Sequence, residues 1–69
     1  MSWIELTYWN PKEESVLVIR AYFNRIECFY KGKRLFIHAY SHEFLKGFQE
    51  GIEERGYVFM RSIGEDHCQ

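Results

Sequence analysis

The spacing of apolar residues changes at Ser41, and this change limits the fold more than any other feature of the sequence. Before Ser41, apolar and polar residues alternate in part over short segments, which is the pattern of half-buried β-strands. From Ser41 to Arg55, apolar residues recur every three or four positions, which is the pattern of an amphipathic helix. The sequence therefore predicts an α+β fold, in which a single-layer antiparallel sheet packs on one helix.

Four segments before the helix carry the strand pattern and are separated by turn residues. We predict strands over residues 3–9, 16–23, 26–31 and 34–40. Turns are expected at 10–15, 24–25 and 32–33. Such short connections join antiparallel neighbours, so the four strands form a meander. Residues 57–63 predict a fifth, C-terminal strand, which gives the order ββββαβ in one domain over residues 1–63, followed by a polar tail at 64–69.

The predicted helix covers residues 42–55 and has recognisable ends. Ser41 is a good N-cap, and Gly56 suits the position just after the last turn. The apolar stripe consists of Phe44, Leu45, Phe48 and Ile52. Gly47 and Gly51 flank this stripe, and each costs up to about 1 kcal/mol of helix propensity. We interpret them as a place where another backbone comes close, either a strand of the sheet or a partner chain.

The predicted turns set a register that sorts the side chains between two faces of the sheet. Pairing Lys31 with Arg34 places Cys28 opposite Ile37 on one face and Phe29 opposite Phe36 on the other. The turn at 24–25 places Arg20 opposite Phe29 on the second face. The first of these faces is predicted to be the core. The predicted inward residues are Leu17, Ile19, Ile37, Phe44, Phe48 and Ile52.

Length and composition restrict the class of protein. With 69 residues the chain has room for one core, and with 46% hydrophobic residues it lies far from the composition of disordered chains. The start of the sequence lacks the pattern of a signal peptide, and no run is long enough to cross a membrane, so we expect a cytoplasmic protein without a membrane partner. For Cys28 and Cys68 we expect one buried and one free thiol, with a disulfide between them as the alternative.

No pattern of catalytic or cofactor chemistry stands out in the sequence. The histidines and cysteines lack the close pairs of a metal site, and no glycine-rich loop joins a strand to a helix as in a phosphate-binding site. A cysteine nucleophile would need a positioned histidine and a third group to orient it. We therefore expect a protein that is not an enzyme and that uses neither a metal nor a cofactor.

The second face of the predicted sheet is aromatic and basic, whereas such faces are usually polar. Together with Val16 and Val18, it would expose more apolar surface than a monomer normally does. Unless the fifth strand or the tail folds over it, this face is a candidate partner-binding site. The candidate residues are Trp3, Trp9, Arg20, Tyr22, Phe29, Lys31, Arg34, Phe36, His38 and Tyr40.

Two classes of partner fit these residue types. Aromatic and arginine side chains dominate protein-protein hot spots, and they also bind single-stranded nucleic acids by stacking and by phosphate contacts. Residues 20–34 carry five basic residues and one acidic residue, but the whole chain has a net charge of −1, so little counterion release is available. We therefore expect a non-enzymatic binding protein for a protein partner or for a second copy in a homodimer, with single-stranded nucleic acid as the alternative. Its size suits an inhibitor or regulator of a larger host machine, such as one encoded by a phage or mobile element.

Overall fold

The computed structural model describes residues 3–64 and confirms the predicted α+β fold. The elements in chain order are β1 (Trp3–Asn10), β2 (Ser15–Tyr22), β3 (Arg25–Tyr30), β4 (Lys33–Ala39), α1 (His42–Glu54) and β5 (Val58–Gly64). The five strands form one antiparallel sheet in the order β4-β3-β2-β1-β5. β5 pairs with the edge of β1 and does not fold over either face. The rest of the predicted tail, including Cys68, lies outside the described residues.

The β3–β4 turn lies one residue earlier than predicted, and this shift changes which residues of β3 and β4 pair. Its two central residues are Lys31 and Gly32, with φ angles of 53° and 84°. Positive φ at both central positions is the pattern of a type I′ hairpin turn, which matches the twist of the flanking strands. As a result Tyr30 pairs with Lys33, and the predicted pairing of Lys31 with Arg34 is wrong.

A β-bulge directly after this turn changes which way β4 faces. Phe29 pairs with Arg34 and Cys28 pairs with Phe36, so Leu35 is the extra residue between the two pairs. One extra residue reverses the side on which every later residue of the strand lies. The prediction that Ile37 lies in the core is therefore wrong, since Ile37 is 50% exposed.

The core forms between the sheet and α1 and follows the predicted helix stripe. Its buried apolar residues are Leu6, Tyr8, Leu17, Ile19, Ala21, Ile26, Cys28, Ile52 and Tyr57, against which Tyr30, Phe36, Phe44, Leu45 and Phe48 pack. Phe36 meets the rings of Phe44 and Phe48 edge-on, at centroid distances of 5.8 and 5.4 Å. These contacts hold α1 over β3 and β4.

Both ends of α1 have the predicted caps. The Ser41 hydroxyl accepts a hydrogen bond from the Phe44 backbone N–H at 3.2 Å, and Gly56 adopts a φ of 102° after the last turn. Asn10 lies beside this end: its side-chain amide donates to the Arg55 carbonyl at 3.4 Å. The same side chain accepts from the Lys12 backbone N–H at 2.9 Å, so it ties the β1–β2 loop to the end of the helix.

The two helix glycines do not touch a strand. Apart from the helix's own nearby backbone, a Cβ placed at Gly47 or at Gly51 would meet no described atom within 4 Å, so the interpretation that a sheet strand lies against them is wrong. Both residues instead line an open cavity of about 540 Å³ between α1 and the sheet, together with Leu17, Leu35 and Phe48. The alternative, that a partner chain comes close here, stays a prediction.

Candidate functional site: the outer face of the sheet

The sheet has one face that α1 does not cover, which we call the outer face. Its residues alternate with the buried ones, and the pairing across all five strands identifies them. They are Trp3, Glu5, Thr7, Trp9, Val16, Val18, Arg20, Tyr22, Arg25, Glu27, Phe29, Arg34, Ile37, Ala39, Val58, Arg61 and Ile63. Since α1 packs on the opposite face and every strand lies within the sheet, no helix or strand of residues 3–64 covers the outer face.

Ion pairs occupy the middle of the outer face. Glu27 lies opposite Arg20, and Arg20 lies opposite Glu5, so three charged residues form one row across β3, β2 and β1. The Arg20 Nε donates to Glu5 Oε1 at 2.9 Å, and the Arg25 Nε donates to Glu27 Oε2 at 3.0 Å. The hydrogen bond to Glu5, with a smaller contribution from Tyr22, raises the pKa of Arg20. Each central carboxylate is thus matched by an arginine.

The neighbouring row is apolar in its middle and cationic at both ends. It runs Arg34, Phe29, Val18, Thr7 and Arg61 across the five strands. Both terminal arginines are exposed, and within residues 3–64 neither of them makes an ion pair or a side-chain hydrogen bond. The unmatched positive charge of the outer face therefore lies at its two lateral edges.

Aromatic side chains lie toward the two ends of the strands. Trp3 pairs with Tyr22 at one end, where the Arg25 guanidinium carbon lies 3.9 Å from the centroid of the Tyr22 ring. Trp9 lies at the other end, between Val16 of β2 and Val58 of β5. The outer face thus has an aromatic group near each end and an apolar row with ion pairs between them.

Six of the ten predicted site residues lie on the outer face. They are Trp3, Trp9, Arg20, Tyr22, Phe29 and Arg34. Phe36 and His38 were placed there wrongly, because the bulge turns both toward the helix, and the His38 ring stacks on Phe44 at 3.8 Å. Lys31 lies in the β3–β4 turn, and Tyr40 follows β4 and lines a cavity together with Leu45 of the helix and with Trp3 and Tyr22.

Several residues of the outer face were missed by sequence reasoning. The predicted Arg20–Phe29 pairing is wrong by two residues, and the correct register brings Glu27 beside Arg20. Val58, Arg61 and Ile63 join the face because β5 pairs with β1. A signal for the last group was present, since the fifth predicted strand needed an edge to pair with and β1 offered a free one.

The described residues carry little that points to other chemistry. Cys28 is fully buried, and burial raises the pKa of its thiol to about 11, so it is protonated and unreactive at neutral pH. Residues 3–64 contain no cluster of three metal-ligating side chains, and α1 is too short to cross a membrane. The chain matches no protein-family model, no curated protein and no solved structure.

Proposed function

We propose that this chain is a non-enzymatic binding protein whose outer face engages a protein partner. The observation that supports the proposal is a five-stranded face that carries aromatic and aliphatic side chains and that no helix or strand of residues 3–64 covers. Val16, Ile37, Val58 and Ile63 on this face are 41, 50, 51 and 40% exposed. Val16, Trp9 and Val58 are neighbours at one end of the face, whereas Ile37 and Ile63 flank the row of ion pairs. Exposed apolar side chains with charged residues interspersed are typical of protein interfaces.

The residue types and their placement also favour a protein partner. Tryptophan, tyrosine and arginine are the residues most often found as binding hot spots. Here Trp3, Tyr22 and Arg25 form one group at one end of the face, and Trp9 lies at the other end. A partner that contacted both ends would bury the apolar row between them.

The two carboxylates of the outer face disfavour nucleic acid as the partner. Glu5 and Glu27 lie in the middle of the face and hold Arg20 and Arg25 in ion pairs. A phosphate at this position would have to displace a carboxylate from its arginine and would be repelled by it. The stacking surface is also smaller than the sequence predicted, because Phe36 faces the helix.

Charge further favours a different protein over a second copy of this chain. The outer face carries four arginines and two glutamates. Stacking two such faces against each other would oppose two positively charged surfaces, which disfavours association. An acidic and apolar partner surface would be complementary. A small domain bound in this way suits a regulator or inhibitor that occludes a larger protein.

Affinity capture with two matched variants tests the proposal. Ile37→Glu places a charge on the outer face, whereas Leu35→Glu places one at an exposed position beside the helix-side cavity, two residues away on the same strand. We expect lysate proteins captured by the wild type to be retained by Leu35→Glu and lost with Ile37→Glu, with or without nuclease. Capture that nuclease abolishes would favour nucleic acid. A dimer by light scattering that Ile37→Glu converts to a monomer would identify a second copy as the partner.

A further inference from the structure

We infer that the partner presents an apolar patch flanked by two acidic groups, one for each lateral edge of the outer face. This inference rests on the proposed function and specifies the chemistry of its partner. It comes from the row that begins at Arg34 on β4 and ends at Arg61 on β5. These two arginines are the cations of the outer face that form no ion pair within residues 3–64.

The strand order fixes the separation of the two cations. Arg34 and Arg61 lie on the two edge strands of a five-stranded sheet, so four strand spacings separate them. At about 4.8 Å for each spacing the distance between the two backbone positions is about 19 Å. Phe29, Val18 and Thr7 lie between them and offer a phenyl ring, an isopropyl group and a methyl group. A complementary surface is therefore apolar over its middle and anionic at both ends.

Arg34 and Arg61 are the cations that discriminate between partners, because the arginines of the adjacent row are already paired. Arg20 and Arg25 are already matched by Glu5 and Glu27, so a partner gains little from offering them further carboxylates. Arginine binds carboxylates through two parallel N–H···O bonds, which Arg34 and Arg61 have available. A partner with one acidic group could satisfy one edge only. A partner with basic groups would meet repulsion at both edges.

This spacing can be translated into sequence patterns of a partner peptide. In a helix, residues that share one side and lie about 19 Å apart are 11 or 14 positions apart, at about 1.5 Å per residue. In an extended segment, six positions at about 3.3 Å per residue cover the same distance on one side. Both patterns require apolar residues between the two acidic ones.

The described part of a second copy, residues 3–64, does not offer such a surface. Its outer face is itself positive, and the two glutamates there are already held by Arg20 and Arg25. The largest group of other acidic side chains among residues 3–64 lies on the exposed side of α1. Glu43 and Glu54 are 11 positions apart on that helix, but the exposed residues between them include Lys46, Gly47 and Glu50 and are not apolar. A different protein therefore fits the two edge arginines better.

Selection from a display library of random 18-residue peptides tests the inference on the full chain. The probes are the wild type, Arg34→Glu with Arg61→Glu, and a control with the same change in charge on the helix, Lys46→Glu with Arg55→Glu. We expect the wild type and the control to enrich peptides with two acidic residues at the spacings above and apolar residues between them. The Arg34→Glu and Arg61→Glu double variant should instead enrich basic residues at those spacings. Acidic residues grouped together, or the same enrichment on the double variant, would overturn the inference.

Titration of an enriched peptide separates failure of the inference from failure of the proposed function. Each single substitution, Arg34→Glu or Arg61→Glu, should weaken binding about fivefold, the upper end of the range for an exposed ion pair, because the reversed charge also repels the acidic group. The peptide should shift the backbone amide resonances of Val18 and Phe29. Shifts at these residues with no effect of either substitution would overturn the inference and leave the outer face as the binding site. Shifts confined to the helix side would contradict both.

Discussion

Arg34 lies directly opposite Phe29 across the β3–β4 ladder, and the bulge that follows turns Phe36 to the other side of the sheet. This one irregularity divides β4 into two parts with different roles. Arg34 lies on the outer face, where it borders the apolar row. Phe36 packs between Phe44 and Phe48 of α1 and helps to hold the helix on the sheet.

The first prediction tests this division by the stability of two variants. Phe36→Ala should lower the free energy of unfolding by about 3 kcal/mol, because it removes the ring that contacts both helix phenylalanines. Ile37→Ala should cost about 1 kcal/mol or less, since Ile37 is half exposed on the outer face. Urea unfolding of both variants gives the comparison. A larger loss for Ile37→Ala would restore the register in which Ile37 is in the core.

The contrast between these two residues shows where sequence reasoning reached its limit. The faces of β1 and β2 and the helix stripe were predicted correctly, because each depends on the periodicity within one element. The pairing of Arg34 with Phe29 depends on Lys31 adopting a positive φ, and the face of the later residues of β4 depends on Leu35 being the extra residue of a bulge. Neither is a usual choice for its position, and the bulge is stabilised by contacts between Phe36 and a helix that follows later in the chain.

The prediction of which residues lie on the outer face was also limited by a second long-range contact, the pairing of β5. The pattern of residues 57–63 predicted a strand but did not specify its partner. Pairing of β5 with β1 places Arg61 opposite Thr7 and Ile63 opposite Glu5. The strand order was therefore needed to place Arg61 on the outer face. It was also needed to identify the row that runs from Arg34 to Arg61.

The second prediction concerns the glycines of α1. Gly51→Ala should raise the free energy of unfolding by up to about 1 kcal/mol, because alanine has the higher helix propensity and its Cβ would meet no neighbour within 4 Å. Gly56→Ala is the matched control and should destabilise the domain by about 1 kcal/mol or more, since Gly56 has a φ of 102°. Thermal or urea unfolding measures both effects. A destabilised Gly51→Ala variant would indicate that the helix lies closer to the sheet.

The third prediction concerns Asn10, whose side chain joins the β1–β2 loop to the end of α1. Asn10→Ala removes acceptors for the Lys12 and Glu13 backbone N–H groups and a donor to the Arg55 carbonyl. Because Asn10 is 98% buried, the loss should be about 2 kcal/mol. Asn24→Ala, at an exposed position, is the control and should change stability by less than about 0.5 kcal/mol. Equal effects in urea unfolding would contradict this role for Asn10.

The fourth prediction concerns Cys28 and pH. Its pKa is raised to about 11 from an ordinary value of 9.0, so between these values the folded chain holds a proton that the unfolded chain releases. The free energy of unfolding should therefore decrease as the pH rises from about 9 to 11. The Cys28→Ala variant should show a smaller decrease in the free energy of unfolding. Part of the decrease should remain, because burial also raises the pKa of Tyr57. Urea midpoints at pH 8 and 10 make the comparison, and identical pH dependence in both chains would contradict it.

A labelling experiment gives independent access to the same thiol. In a Cys68→Ser background, iodoacetamide should modify Cys28 very slowly at pH 8 in the folded chain and rapidly in urea, because the buried thiol is protonated and shielded from solvent. The ratio of the two rates reports how often the core opens. Similar rates in both states would show that the core is not closed around Cys28.

The last prediction separates protein binding from nucleic-acid binding through the carboxylates of the outer face. In the wild type, Glu5 and Glu27 hold Arg20 and Arg25, and we expect no saturable binding of single-stranded oligonucleotides at about 0.15 M salt. Glu5→Gln with Glu27→Gln releases both arginines and leaves four cations on the face, so weak oligonucleotide binding should appear. A plot of the logarithm of the association constant against the logarithm of the salt concentration should have a slope of about −0.7 for each phosphate contact.

Fluorescence anisotropy of a labelled oligonucleotide measures both chains under the same conditions. A Glu50→Gln with Glu53→Gln control makes the same change in net charge on the exposed side of α1 and should not bind. If the control binds as well as the outer-face variant, net charge alone is responsible and the central carboxylates have no special effect. Saturable, salt-dependent binding by the wild type near micromolar concentration would reverse the order of the two functions, because it would mean that the central carboxylates do not prevent phosphates from binding the outer face.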